Sequence, residues 1–128
     1  MTSTTQTISF LGTVAANSNI TLISKRITLP FRTKRIRASF APGVQRLMKL
    51  YFFISLDPSA PTTEEPKGFN ILTSLGQVSY LTGDEGFKDL AHEVECKEAG
   101  AYLKIYAVNS DSFEHTIDSQ ITIEFIEE

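Results

Sequence analysis

A single cysteine in 128 residues, Cys96, excludes an intrachain disulfide framework and any zinc site built on several thiolates. No apolar run approaches the roughly 20 residues with which a helix spans a bilayer, so no membrane role is expected. The opening residues, Met1-Thr2-Ser3-Thr4-Thr5-Gln6-Thr7, have neither the charged start nor the apolar stretch of a secretory signal. They predict a protein of the cytoplasm, or of a particle assembled there. The phosphate-cradling, dinucleotide, nucleophile-elbow and zinc-protease motifs (Gly-x-x-x-x-Gly-Lys, Gly-x-Gly-x-x-Gly, Gly-x-Ser-x-Gly, His-Glu-x-x-His) are all missing, and the chain is read as a non-enzyme without cofactors.

Acidic residues are absent from the first 56 positions, which carry Lys25, Arg26, Arg32, Lys34, Arg35, Arg37, Arg46 and Lys49 for a charge of +8. From Asp57 onward fifteen acidic residues face four basic ones, so that part is −11 and the whole is −3. Such a split suits a basic surface for nucleic acid, pairing of the two halves inside one fold, or pairing between copies. Internal pairing is the ordinary outcome. If the basic strands instead cluster on one side, copies should meet through Arg and Lys against the region of Glu93, Glu95, Glu124 and Glu127.

What the chain does have is period-two alternation. Across 116–126, Ile117, Ser119, Ile121, Ile123 and Phe125 alternate with Thr116, Asp118, Gln120, Thr122 and Glu124, the mark of a strand with one buried face. Leu103, Ile105 and Ala107 alternate with Tyr102, Lys104 and Tyr106 before the turn-forming Asn109-Ser110-Asp111. In 34–40, Ile36, Ala38 and Phe40 point inward, and Arg35, Arg37 and Ser39 outward. Weaker strand signals run through 7–13, 20–29, 69–72 and 77–81. The segments around 44–52 and 87–94 also fit helical spacing, but aromatic and β-branched content makes both mainly strand, with room for one helical turn over 83–89. Residues 57–68, with three of the five prolines, read as an exposed loop. Eight or so short strands in one domain, 1–128, predict an all-β, two-sheet antiparallel sandwich. Jelly-roll topology is preferred, ahead of an immunoglobulin-type Greek key without its cysteines and core tryptophan, and of a five-stranded oligonucleotide-binding barrel. The core should include Ile36, Phe52, Ile105, Ile121, Ile123 and Phe125.

Candidate contact residues fall in two groups. Arg35 and Arg37, supported by Arg32 and Lys34, form a solvated basic strip. Nucleic acid is a disfavoured partner for it, because the remainder of the chain is strongly acidic. Tyr51, Phe53, Tyr102 and Tyr106 fall on the face opposite the aliphatic core, where an interface with another subunit is favoured over a sugar-binding platform. His92 and Cys96 share one strand face and could bind a metal or act as base and nucleophile, but ordinary core-edge packing outweighs this. His115 reads as a turn residue bonded to backbone. Asp57, Glu64, Glu65, Asp84, Glu85, Asp111 and Glu114 fall in connections where calcium ligands could gather, although a solvated loop surface is the better reading. Asn19-Ile20-Thr21 matches a glycosylation acceptor without a secretory context.

The closing strands, 102–108 and 121–125 around Asn109-Ser110-Asp111, together with Arg35-Ile36-Arg37-Ala38-Ser39-Phe40 before Ala41-Pro42-Gly43, resemble small jelly-roll structural proteins of bacteriophage virions. The resemblance implies a capsid decoration, head or tail accessory protein that acts through contacts with other virion proteins and with itself as a homo-oligomer. A carbohydrate-binding module is the alternative, and a nucleic-acid-binding β domain comes third.

Overall fold

The computed structural model describes residues 5–40, 47–59, 66–75, 80–82, 86–91 and 93–125. Within them run β1 (Thr5–Val14), β2 (Ser18–Ile23), β3 (Phe31–Phe40), β4 (Met48–Ser55), β5 (Phe69–Asn70), β6 (Gly86–Leu90), β7 (Glu95–Cys96), β8 (Tyr102–Asn109) and β9 (His115–Phe125). One short 3-10 turn spans Leu72–Leu75. A five-stranded sheet has the order β1-β9-β3-β6, with β7 also pairing β3, and a four-stranded sheet has the order β2-β8-β4-β5. Every pairing is antiparallel. The pairs are nested: β1 with β9, β2 with β8, β3 with β6, β4 with β5. A long folded hairpin of this kind, rolled so that successive pairs fall in alternate sheets, is the jelly roll the sequence predicts.

Alternation sets the inner faces. Ile117, Ser119, Ile121 and Ile123 of β9, Leu103, Ile105 and Ala107 of β8, and Met48, Leu50, Phe52 and Ile54 of β4 all turn inward and are buried. Each large apolar side chain wholly withdrawn from water contributes roughly 1.5 to 3 kcal/mol. Phe125 departs from expectation: it is only partly buried, because it ends β9 at the rim of the sandwich.

In β3 the parity changes along the strand. Phe31 and Thr33 point inward at odd positions, and Ile36, Ala38 and Phe40 at even ones. The pairing with β9 skips from Thr33 to Arg35, leaving Lys34 as the extra residue of a β-bulge. On the other flank the same irregularity faces the gap between β6 and β7. There Thr33 N donates to Val94 O and Val94 N donates to Thr33 Oγ1, both at 2.9 Å. The strand expected across 87–94 is therefore broken in two.

Other predicted segments are trimmed. The strand expected over 20–29 ends at Ile23, and Ile27 keeps a single bridge to Ala101. That over 69–72 yields to the 3-10 turn after Asn70, whose Oδ1 accepts from Leu72 N at 2.9 Å. Of 77–81, only Tyr80 and Leu81 are described, and Leu81 bridges Leu50. Residues 41–46 and 83–85, where helical alternatives were open, lie outside the described residues. Gly68 has φ +143°, and a Cβ there would lie 2.6 Å from Ile54 O, so glycine permits the return of the 57–68 connection to β4. Pro66 in that connection is buried, against the exposed loop expected.

Candidate functional site

The outer face of the five-stranded sheet carries the basic strip. Central strand β3 is flanked on both sides by strands from the acidic half, so Arg32, Lys34 and Arg35 each meet an anion of the same chain. Arg32 Nε lies 3.4 Å from Glu124 Oε1 across the β3–β9 pair, and Arg35 Nε lies 3.1 Å from Asp89 Oδ1 toward β6. Lys34 Nζ donates to Glu93, holding that carboxyl below its ordinary value. Arg35 and Arg37 are exposed as expected, while Arg32 and Lys34 are half-buried. The topology therefore interleaves the +8 and −11 segments, the internal pairing that was the ordinary outcome, and the basic strands do not cluster apart from the acidic ones. Nested antiparallel pairing requires late strands to lie beside early ones.

The outer face of the four-stranded sheet carries the aromatics. Tyr51 of β4 stands opposite Tyr106 of β8, with ring centroids 5.8 Å apart, and Tyr80 packs on Tyr51 at 5.6 Å. Lys49 Nζ sits 4.8 Å from the centre of the Tyr80 ring, a cation–π contact. The Tyr106 hydroxyl accepts from Asn19 Nδ2 at 3.0 Å, which occupies the amide of the sequence-level glycosylation match. All four predicted aromatics lie opposite the main core, but two of them are not solvent-exposed as the sequence reading expected. Phe53 and Tyr106 are each only 4% exposed. Tyr106 lies on the central strand β8 between β2 and β4, and Phe53 on β4 between β8 and β5. Tyr51 and Tyr102 remain half-exposed.

Lys104 belongs to the same face, and the sequence reading missed it. Its register neighbours are Phe53 on β4 and Ile23 on β2. The side chain is wholly buried, and among the described residues Nζ has no hydrogen-bond partner. Burial pushes the ammonium below its ordinary 10.5, and the charge of Asp57 opposes that shift only in part. Its place between Tyr102 and Tyr106 in a strict alternation was the available signal. Lys49 and Tyr80 were likewise missed.

His115 Nε2 lies 2.7 Å from Asp111 Oδ2, so its partner is a carboxylate and not backbone. That contact, with Ser112 N donating to Asp111 Oδ1, holds the Asp111 carboxyl below its usual range. Cys96 is half-buried, with Sγ 3.5 Å from Glu98 O. His92, Glu64, Glu65, Asp84 and Glu85 lie outside the described residues. Among the described residues no three His, Cys, Asp or Glu side chains converge as metal ligands.

No protein-family model and no curated protein sequence matches the chain. Solved structures do. The infectious bursal disease virus VP2 subviral particle aligns with 96% of this chain at a TM-score of 0.51 and 9% identity. The likeness is one of fold. This chain spans about a third of the viral chain's length, 33%. The subunit of Bacillus endospore appendages, described as disulfide-linked pili, aligns with 99% of this chain and 90% of its own at 10% identity and a TM-score of 0.46. The Yersinia pseudotuberculosis-derived mitogen aligns with 96% and 87% at 10% identity and 0.39. Neither of the last two reaches the similarity at which a shared fold is read.

Proposed function

We propose that the chain is a non-enzymatic structural subunit that works through protein contacts, and more narrowly a component of a phage virion, such as a capsid decoration, head or tail accessory protein. The observation that carries this reading is the nested β1-β9-β3-β6 and β2-β8-β4-β5 order, an architecture much used by capsid subunits. The fold similarity to the VP2 particle supports it as an analogy of architecture. Arg35 and Arg37, exposed on one sheet, and the half-exposed Tyr51 and Tyr102 on the other, are the contact residues. The partners are other virion proteins, and assembly takes place in the host cytoplasm.

Proteomics of purified particles of the virus encoding the chain tests this: the chain should be present at many copies per particle. Arg35→Ser with Arg37→Ser should lower that number while the thermal midpoint stays nearly constant. Absence from the particles overturns the virion reading. The carbohydrate alternative calls for ring faces laid open side by side, whereas Tyr51 is tilted 51° to both Tyr80 and Tyr106. Glycan binding lost on Tyr51→Ala and Tyr102→Ala would restore it.

A further inference from the structure

We infer that two copies of this chain join edge to edge through β1, which pairs antiparallel with β1 of a second copy about a two-fold axis. This is independent of the virion reading and uses different residues.

The four sheet edges are unequal. Exposed edge strands present unpaired N–H and C=O groups, and proteins that stay apart blunt them with short strands, charges or proline. On one side of the sandwich the edges are blunted in this way. There β5 and β7 have two residues each, and β6 has five, including Lys88 and Asp89. The opposite side is formed by β1 and β2. Strand β1 is ten residues long, Thr5-Gln6-Thr7-Ile8-Ser9-Phe10-Leu11-Gly12-Thr13-Val14, with no charge and no proline. One of its edges pairs β9 throughout. Among the described residues no backbone hydrogen bond reaches the other edge.

Part of the exposed apolar surface lies on the same side. Leu11 is 69% exposed on the outer face of β1, and Leu29 is 52% exposed in the segment after β2. A groove of about 360 Å³ runs between β1 and that segment, with Ile8, Ile27, Leu29 and Phe125 as its apolar lining and Lys25 and Arg26 among its polar lining. A strand added along β1 satisfies the open amides and carbonyls and places alternate side chains toward the groove, the mode in which backbone bonds supply affinity and pockets supply selectivity.

Charge and geometry select a second copy as the occupant. Like charges placed directly opposite across a sheet are unfavourable, and β1 brings none against itself. Of the other edges of a neighbouring copy, β5, β6 and β7 are too short or carry charge, and the uncharged β2, with six residues, matches only part of the ten of β1, so the surface that best matches β1 is β1. Matching a surface to itself closes about a two-fold axis and yields a dimer with one sheet running through both copies.

Light scattering coupled to gel filtration tests this on the full chain, from micromolar to millimolar concentration. The expected mass is twice the 14.2 kDa of the chain. Hydrogen exchange on the unmodified protein should show alternate β1 amides gaining protection as concentration rises. Ser9→Lys with Leu11→Lys, both exposed positions, should raise the dimer dissociation constant roughly tenfold or more, since four new positive charges meet at the pairing line. Lys88→Ser on the blunted edge should leave it unchanged. A monomer at every concentration overturns the inference, as does an oligomer above a dimer. An association that leaves β1 amides unprotected overturns it too, and that outcome does not depend on whether the lysine variant folds.

Discussion

Arg32 and Glu124 face each other in register across β3 and β9, 92 positions apart in the chain, with Nε 3.4 Å from Oε1. The pair brings the basic half of the sequence against the acidic half inside a single molecule. With Lys34–Glu93 and Arg35–Asp89 it leaves the strip locally compensated. Self-association should therefore be insensitive to salt between about 0.1 and 1 M, where the Debye length falls from about 10 to about 3 Å. Sedimentation at both ionic strengths checks this, and oligomers that dissociate with added salt would contradict the compensation. Because partly exposed pairs contribute only about 0 to 1 kcal/mol each, Arg35→Ser should move stability by no more than that.

Lys104 should be dispensable for folding and costly as a charge. A buried polar group without a partner costs roughly 1 to 3 kcal/mol, so Lys104→Met should stabilise the protein by about that amount at neutral pH. The sign with pH follows from the depressed ammonium value. The unfolded chain holds this proton more tightly, so the penalty is complete below the folded value and fades as pH rises through it toward 10.5. Denaturant melts of both proteins from neutral to alkaline pH should show the gap narrowing.

Asn109 locks the β8–β9 turn to the end of β1. Its Nδ2 donates to Val14 O at 3.3 Å, Ala15 O at 3.2 Å and Phe113 O at 2.9 Å, while Oδ1 accepts from Asp111 N at 3.0 Å. The residue is 1% exposed. Asn109→Ala strands several carbonyls and an amide, and should cost about 1 to 3 kcal/mol in thermal or denaturant melts. A change below about 0.5 kcal/mol, the ordinary range for surface substitutions, would mean water replaces the amide.

Asp111 supplies an acid-side dependence. Its carboxyl is held below the ordinary 3.8, first by His115 and then by the Ser112 amide. A depressed carboxylate stabilises the fold above its unfolded value and loses that contribution as pH falls through the folded value. The midpoint should fall on acidification through the carboxylate range, and Asp111→Asn should flatten the fall. A profile unchanged by the substitution would remove Asp111 from the balance.

The burial of Phe125 gives a graded comparison. Phe52→Ala removes a wholly buried ring and should cost about 3 to 5 kcal/mol, whereas Phe125→Ala, at a partly covered rim position, should cost clearly less. Equal losses would show that the rim is packed as tightly as the centre.

Alternation in 103–107 and 117–125 was legible because one face of each strand meets the core and the other meets something polar. The inward set Ile36, Ala38 and Phe40 was legible for the same reason, as was the sandwich that such strands must form. The bulge at Lys34 was not, since a parity change is invisible until a partner strand fixes the register. Phe53 and Tyr106 were assigned to the correct face, yet their burial depends on neighbours distant in sequence. The charge halves posed a question that only strand order could answer: Arg32 and Glu124 meet because β9 inserts between β1 and β3.

The bulge also bears on how the sequence can change length. Lys34 is the residue that the β3–β9 pairing passes over, so excising it brings Thr33 next to Arg35 and leaves every other pair with β9 in register. Phe31, Thr33, Ile36, Ala38 and Phe40 would then follow one unbroken period of two and all keep the inward face, whereas a one-residue loss in a regularly paired stretch reverses every side chain beyond it. The supernumerary lysine is thus what sets the two halves of β3 out of phase in the sequence, and β3 can lose one residue at this position without turning either half out of the core.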